Sequence, residues 1–108
     1  MQKADIYKKE LAKLTKIFEV VEEGKKELVQ GLIEDAAFLA AENYELREIL
    51  SLTGMIKVHP KYPDIQKPTE AGKQYLKNIN SYSVVIKTLN GVLNKSAIEE
   101  DDELEEFE

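Results

Sequence analysis

The side chains able to do chemistry are few and mostly alone. His59 is the single histidine, it stands beside Pro60, and the chain has no cysteine. One imidazole without thiolates cannot assemble a zinc site of the usual kind, and no thiol nucleophile or disulfide exists. The five glycines, Gly24, Gly31, Gly54, Gly72 and Gly91, are isolated, so no Gly-rich phosphate loop is present. Glu34, Asp35, Glu42, Glu45 and Glu48 sit close together, where i,i+3 and i,i+4 neighbours on a helix can approach a hard cation. The expectation, however, is a solvated acidic face, or one that meets basic helices of another subunit. Pro63-Asp64 matches part of a metal-dependent nuclease signature, yet no Glu-x-Lys follows it. The inventory offers no metal site, no cofactor site and no catalytic group, so the expectation is a binding protein and not an enzyme.

Lysine is the residue type with enough copies to bind something. The chain carries 15 Lys+Arg against 21 Asp+Glu, a net of −6, which taken as an average argues against nucleic acid. The average hides a strong segregation. Residues 1–18 hold five lysines against Asp5 and Glu10, and residues 54–98 hold seven against Asp64 and Glu70. Residues 19–53 carry nine acids against three bases, and residues 99–108 hold eight acids and no base. Without that last segment the body is weakly basic. Lys8, Lys9, Lys13 and Lys16 fall on one helical stretch, and Lys73, Lys77 and Lys87 on another. Both sets are candidates for phosphate contact, which gives affinity without reading sequence. With a single arginine, bidentate base readout is not expected.

Helices must position these lysines. Tyr7, Leu11, Leu14, Phe18 and Val21 recur at spacings of four and three, predicting a helix over about 5–22 that Gly24 interrupts. Leu28, Leu32, Ala36, Leu39, Asn43, Leu46 and Leu50 form the stripe of a second helix over about 25–53, with Gly54 as its stop. At 1.5 Å per residue that helix is about 40 Å long, too long for a small globule and suited to a hairpin or a partner helix. All three prolines, Pro60, Pro63 and Pro68, fall in residues 55–68, which read as a loop whose Met55, Ile56 and Val58 tuck under the helices. Thr69 is an N-cap for a third helix over about 69–94, whose stripe is Tyr75, Ile79, Tyr82, Ile86, Leu89 and Leu93.

The expected architecture is all-α: a short N-terminal helix plus a long antiparallel hairpin, in one domain spanning 1–98. Residues 99–108 are expected as a disordered acidic tail. Leu28, Leu32, Leu39, Leu46, Leu50, Tyr75, Ile79, Tyr82, Ile86 and Leu89 serve either as the core of the three helices or as a surface for self-association. No apolar run reaches the roughly 18–20 residues that span a bilayer, and Met1 to Glu10 is too polar for a signal peptide, so no membrane role is expected.

The order of features resembles a known family. Leu28-Val29-Gln30-Gly31-Leu32-Ile33-Glu34-Asp35-Ala36-Ala37-Phe38, the run through Glu45-Leu46 to Thr53-Gly54, and the Val58-His59-Pro60 and Lys67-Pro68 pieces carry the likeness. Tyr75, Tyr82, Ile86 and Leu89 continue it, and Asp101-Asp102-Glu103-Leu104-Glu105-Glu106-Phe107 closes it. Over about residues 15–108 the chain resembles a bacteriophage terminase small subunit, of the small helical type of tailed phages of Gram-positive hosts. Where many members carry a Gly-Leu-x-Pro-x-x-Arg block, this chain has Asn90-Gly91-Val92-Leu93-Asn94-Lys95.

The resemblance implies a non-enzymatic protein that assembles into a homo-oligomeric ring and works in the cytoplasm of the infected bacterial host. It implies engagement of double-stranded viral DNA and recruitment or regulation of the terminase large subunit, which holds the ATPase and nuclease. On that mapping the hairpin makes the subunit contacts and the lysines face DNA, while Asp101, Asp102, Leu104 and Phe107 meet the large subunit. The competing expectation is a small helical oligomeric adaptor that acts through protein contacts and never touches DNA.

Overall fold

The structure is a computed structural model that describes the backbone of residues 2–106 and the side chains of residues 2–95. Three helices and a short strand pair follow one another: α1 (Lys3–Ile17), α2 (Glu23–Thr53), β1 (Ile56–Val58), β2 (Gln66–Pro68) and α3 (Glu70–Glu106). The principal extents are 74 × 29 × 18 Å, so the molecule is a long, flat slab.

Each helix starts and stops for a local reason. The backbone N–H of Gln2 donates to Asp5 Oδ2 at 3.3 Å, satisfying one donor at the start of α1. That helix ends at Ile17, earlier than the expected limit near residue 22, and tightens into a 3-10 turn at Phe18–Val20. Val21 is then extended (φ −75°, ψ 142°), and its side chain and Phe18 are both buried where the chain reverses. Gly24 therefore does not make the break. It lies in the first turn of α2, where N–H groups have no intrahelical partner anyway. Gly54 ends α2 with φ +76°, a conformation costly for any residue with a Cβ, and its N–H donates to Leu50 O at 2.8 Å. Thr69 caps α3: its Oγ1 accepts from the Gly72 N–H at 3.0 Å and donates to Gly54 O at 2.9 Å. One hydroxyl thus ties the start of α3 to the end of α2.

The proline segment is not a loop. β1 and β2 pair antiparallel, with Ile56 opposite Pro68, Lys57 opposite Lys67 and Val58 opposite Gln66. The tip contains a Tyr62-Pro63-Asp64-Ile65 turn closed by Ile65 N–H to Tyr62 O at 2.9 Å, with proline at the position where its fixed φ suits a β-turn. Met55, Ile56 and Val58 do not tuck under the helices. They are 37%, 53% and 48% exposed, because the ribbon extends beyond the end of the hairpin instead of folding back.

The core is small and α2 lies at its middle. Leu14, Phe18, Val21, Val29, Ile33, Ala36 and Leu89 form one buried cluster, with Leu11, Leu32, Tyr82, Val85, Ile86, Val92 and Leu93 packed against it. α2 uses two rows. The stripe Leu32, Ala36, Leu39, Asn43, Leu46 and Leu50 is buried or half-buried along its length, and the α3 stripe is half-buried apart from fully buried Leu89. A second row, Val29, Ile33, Ala37 and Ala41, advances by four residues and is buried throughout, and its continuation Glu45 meets Lys3 of α1. Rows at i±4 are the ridges along which helices cross obliquely, and the two alanines allow α1 to lie close. Leu28 departs from its expected place in the stripe, since it is 76% exposed.

α3 also departs at its far end. It runs to Glu106 and not to about Asn94, so the backbone of residues 99–106, expected as a disordered tail, is helical. The side chains of Asp101, Asp102 and Leu104, and the whole of Phe107, lie outside the described residues.

Candidate functional surfaces

The lysines nominated from the sequence sit on two helices and face outward from both. On α1, Lys9, Lys13 and Lys16 lie on the side away from Leu14 and Phe18, and Lys8 beside them is exposed as well. Lys13 is held by Glu10 at 3.1 Å. Lys8, Lys9 and Lys16 have no ion partner among the described residues. On α3, Lys73, Lys77 and Lys87 are exposed opposite the Tyr75–Leu93 stripe, and only Lys73 is engaged, by Glu70 at 3.4 Å. No hydrogen bond or ion pair joins the two sets.

The link between α1 and α3 is instead Glu10, whose Oε1 accepts from Tyr82 OH at 3.5 Å while it also holds Lys13. Burial pushes the Tyr82 phenol above its ordinary value of 10.0, and the nearby Glu10 carboxylate adds to the effect. The acidic helix face behaves as a solvated surface. Glu42 and Glu45 are taken up by Lys3, and the hydrogen bond to Glu42 raises the Lys3 ammonium above 10.5. No group of three or more metal-ligating side chains gathers among the described residues. No helix there is long and apolar enough to cross a membrane.

Exposed apolar side chains are the second notable feature. Leu28, Phe38, Leu52, Leu76 and Val84 are each more than half exposed, although this chain has few large apolar residues to spare. Helical spacing places Phe38 among Glu27, Glu34 and Asp35 on the outward side of α2. It places Val84 with Lys73, Lys77 and Lys87 on the outward side of α3. The molecule thus offers an acidic surface with an aromatic at its middle and a basic surface with an aliphatic at its middle.

The third feature is the ribbon, whose lysines the sequence reading passed over. Three hydrogen bonds extend its ladder or tie it down: His59 N–H to Ile65 O at 2.9 Å, Thr69 N–H to Met55 O at 2.9 Å, and the Thr69 hydroxyl to Gly54 O. Strand alternation puts Lys57, His59, Ile65 and Lys67 on one face. His59 Nδ1 accepts the backbone N–H groups of Lys61 and Tyr62 at 3.1 and 3.2 Å, which organises the tip and occupies that nitrogen. The signal lies in Ile56-Lys57-Val58-His59, which alternates apolar and polar residues as a strand does. Three prolines within fourteen residues concealed it, although Pro68 stands at the outermost pair, where a missing donor costs least.

Known proteins add nothing to this picture: no family model matches the chain, and neither does any characterised protein or solved structure.

Proposed function

We propose that this chain is a non-enzymatic, self-associating helical subunit that engages double-stranded DNA and passes it to a terminase large subunit. The observation that carries the reading is the pair of opposite outer faces. The acidic α2 face around Phe38 and the basic α3 face around Val84 differ, so association between copies through them is head-to-tail, the kind that closes into a ring when the rotation permits. Burying Phe38 and Val84 against a neighbour removes apolar surface from water, and the charges fix which face meets which. Lys8, Lys9, Lys13 and Lys16, repeated around such a ring, multiply a weak phosphate contact into useful avidity. The segment bearing Asp101, Asp102, Leu104 and Phe107 is the part offered to the large subunit, by its acidity and spaced apolar residues.

Native mass spectrometry with salt-dependent DNA titration tests this reading. The expected result is a closed oligomer of several copies whose DNA affinity falls steeply with salt. Replacing Lys9, Lys13 and Lys16 with alanine lowers the salt slope by up to about three, roughly one per lost phosphate contact. A monomer or dimer without DNA affinity overturns the reading in favour of a protein-binding adaptor.

A further inference from the structure

We infer that the β1–β2 ribbon is a docking site for the acidic segment 99–108 of a second copy of this chain. The ribbon is charged in a way that its own fold does not balance. Lys57 and Lys67 are directly opposed across the strands, an arrangement that repels, and Lys61 stands at the tip. Asp64 is the one acid between residues 55 and 69, and none of the three lysines has an ion partner among the described residues. A two-stranded ribbon with three-residue strands is marginal by itself, and this one rests on no helix face.

Chemistry selects the occupant. A shallow groove of about 290 Å³ runs along the ribbon, with Pro60 and Ile65 as its apolar floor and Lys57, Lys67 and His59 around it. Bare phosphates would use the lysines and leave Ile65, about half exposed, without a partner. An acidic peptide with spaced apolar residues uses both. Residues 99–108 have that composition, with eight acids, no base, and Leu104 and Phe107 three positions apart. The same chain cannot supply the segment to its own ribbon. The ribbon immediately precedes α3, whose 37 residues carry the chain about 55 Å in the opposite direction before the acidic stretch ends. Docking is therefore between copies, end to end, through surfaces separate from the α2 and α3 faces and independent of DNA, and on any one copy it excludes the contact of that segment with the large subunit.

Charge exchange in the full-length chain tests it. One variant carries Lys57→Glu, Lys61→Glu and Lys67→Glu, and a second carries Asp101→Lys, Asp102→Lys, Glu103→Lys, Glu105→Lys and Glu106→Lys, which leaves three acids against five lysines in the segment. Sedimentation velocity is run in the absence of DNA, with far-UV circular dichroism confirming unchanged helix content. Each variant alone associates more weakly by about tenfold or more, because ribbon and segment then share one sign. An equimolar mixture restores association, since the reversed ribbon of one meets the reversed segment of the other. Undiminished association of both single variants overturns the inference while leaving the face-to-face assembly intact, and a mixture that fails to recover also overturns it. Loss of DNA binding in the ribbon variant with self-association unchanged reassigns the ribbon to nucleic acid.

Discussion

Alanine is the best helix former, yet replacing Gly72 with alanine near the start of α3 is expected to destabilise this protein. A Cβ there would lie 2.8 Å from the carbonyl oxygen of Met55, 2.8 Å from Thr69 Oγ1 and 3.2 Å from the Met55 Cα. Two of those atoms are backbone, and the Met55 carbonyl already accepts the Thr69 N–H at 2.9 Å. The third is the hydroxyl that caps α3 and holds Gly54. None of them can move without opening the junction between ribbon and hairpin. The ordinary glycine-to-alanine gain in a helix is about 1 kcal/mol. Against it stand overpacking of about 1–3 kcal/mol and a threatened cap of about 1 kcal/mol. The net expectation is a loss of about 1–3 kcal/mol.

Gly91→Ala is the matched control. It lies in the same helix, and nothing comes within 4 Å of the position its Cβ would take. That substitution should stabilise by about 0.5–1 kcal/mol, from propensity alone. Urea denaturation of the two variants beside the parent chain reads both signs, and thermal midpoints should move about 4–8 °C per kcal/mol for a domain near this size. Hydrogen exchange at the Thr69 amide should speed up in Gly72→Ala only. If Gly72→Ala proved as stabilising as Gly91→Ala, the close approach of Met55 to the first turn of α3 would be wrong.

Asn43→Leu should raise stability by about 1 kcal/mol or more, because Asn43 is 4% exposed and its Oδ1 has no hydrogen-bond partner. A lower denaturant midpoint for the leucine variant would mean that the amide is satisfied after all. Tyr82 should be the late-ionising tyrosine of the five, since burial and then Glu10 hold its phenol above 10.0. A folded-state value above the unfolded one favours the neutral form, so its contribution is complete below pH 10 and fades as pH rises through the raised value. Alkaline difference absorbance follows this directly, and Tyr82→Phe should remove the late phase; an unchanged late phase would assign it to another tyrosine.

Much of the hairpin was legible because its signals are strong and local. A six-member stripe from Tyr75 to Leu93, a threonine cap at Thr69 and a glycine stop at Gly54 are each set by a few neighbouring residues. The oblique row Val29, Ile33, Ala37 and Ala41 was harder to see. Alanine contributes little to a hydrophobic pattern, and the row drifts around the helix instead of following one face. Leu28 fits the other stripe by spacing and still lies outside it, since contacts, not periodicity, decide what is covered. Past Asn94 the density of like charge conceals a helix that propensity favours. No glycine or proline occurs after Gly91, and Glu, Leu, Lys and Ala all favour helix. For the surfaces, the lysines on α1 and α3 were visible as helical sets, whereas the opposed pair Lys57 and Lys67 exists only once the strand register is known.

What the charge distribution permits depends on distance more than on its sum. Screening limits electrostatic reach to about 8–10 Å at moderate salt, and the molecule is 74 Å long. A phosphate near Lys9 on α1, whose neighbour Glu10 meets Tyr82, is therefore more than a screening length from the acids that begin at Glu99 on α3, and the net charge of −6 sets solubility without forbidding an anionic partner. The same reach explains why opposite surfaces on one slab do not cancel each other: the acidic outer side of α2 and the basic outer side of α3 interact strongly only with what is brought against them. On the proposed reading, a chain built this way gains from neighbours what its small core does not supply. Raising salt should then weaken the proposed association with copies of itself and with DNA while leaving the apolar core, with Leu14, Phe18, Ile33 and Leu89 at its centre, largely unaffected.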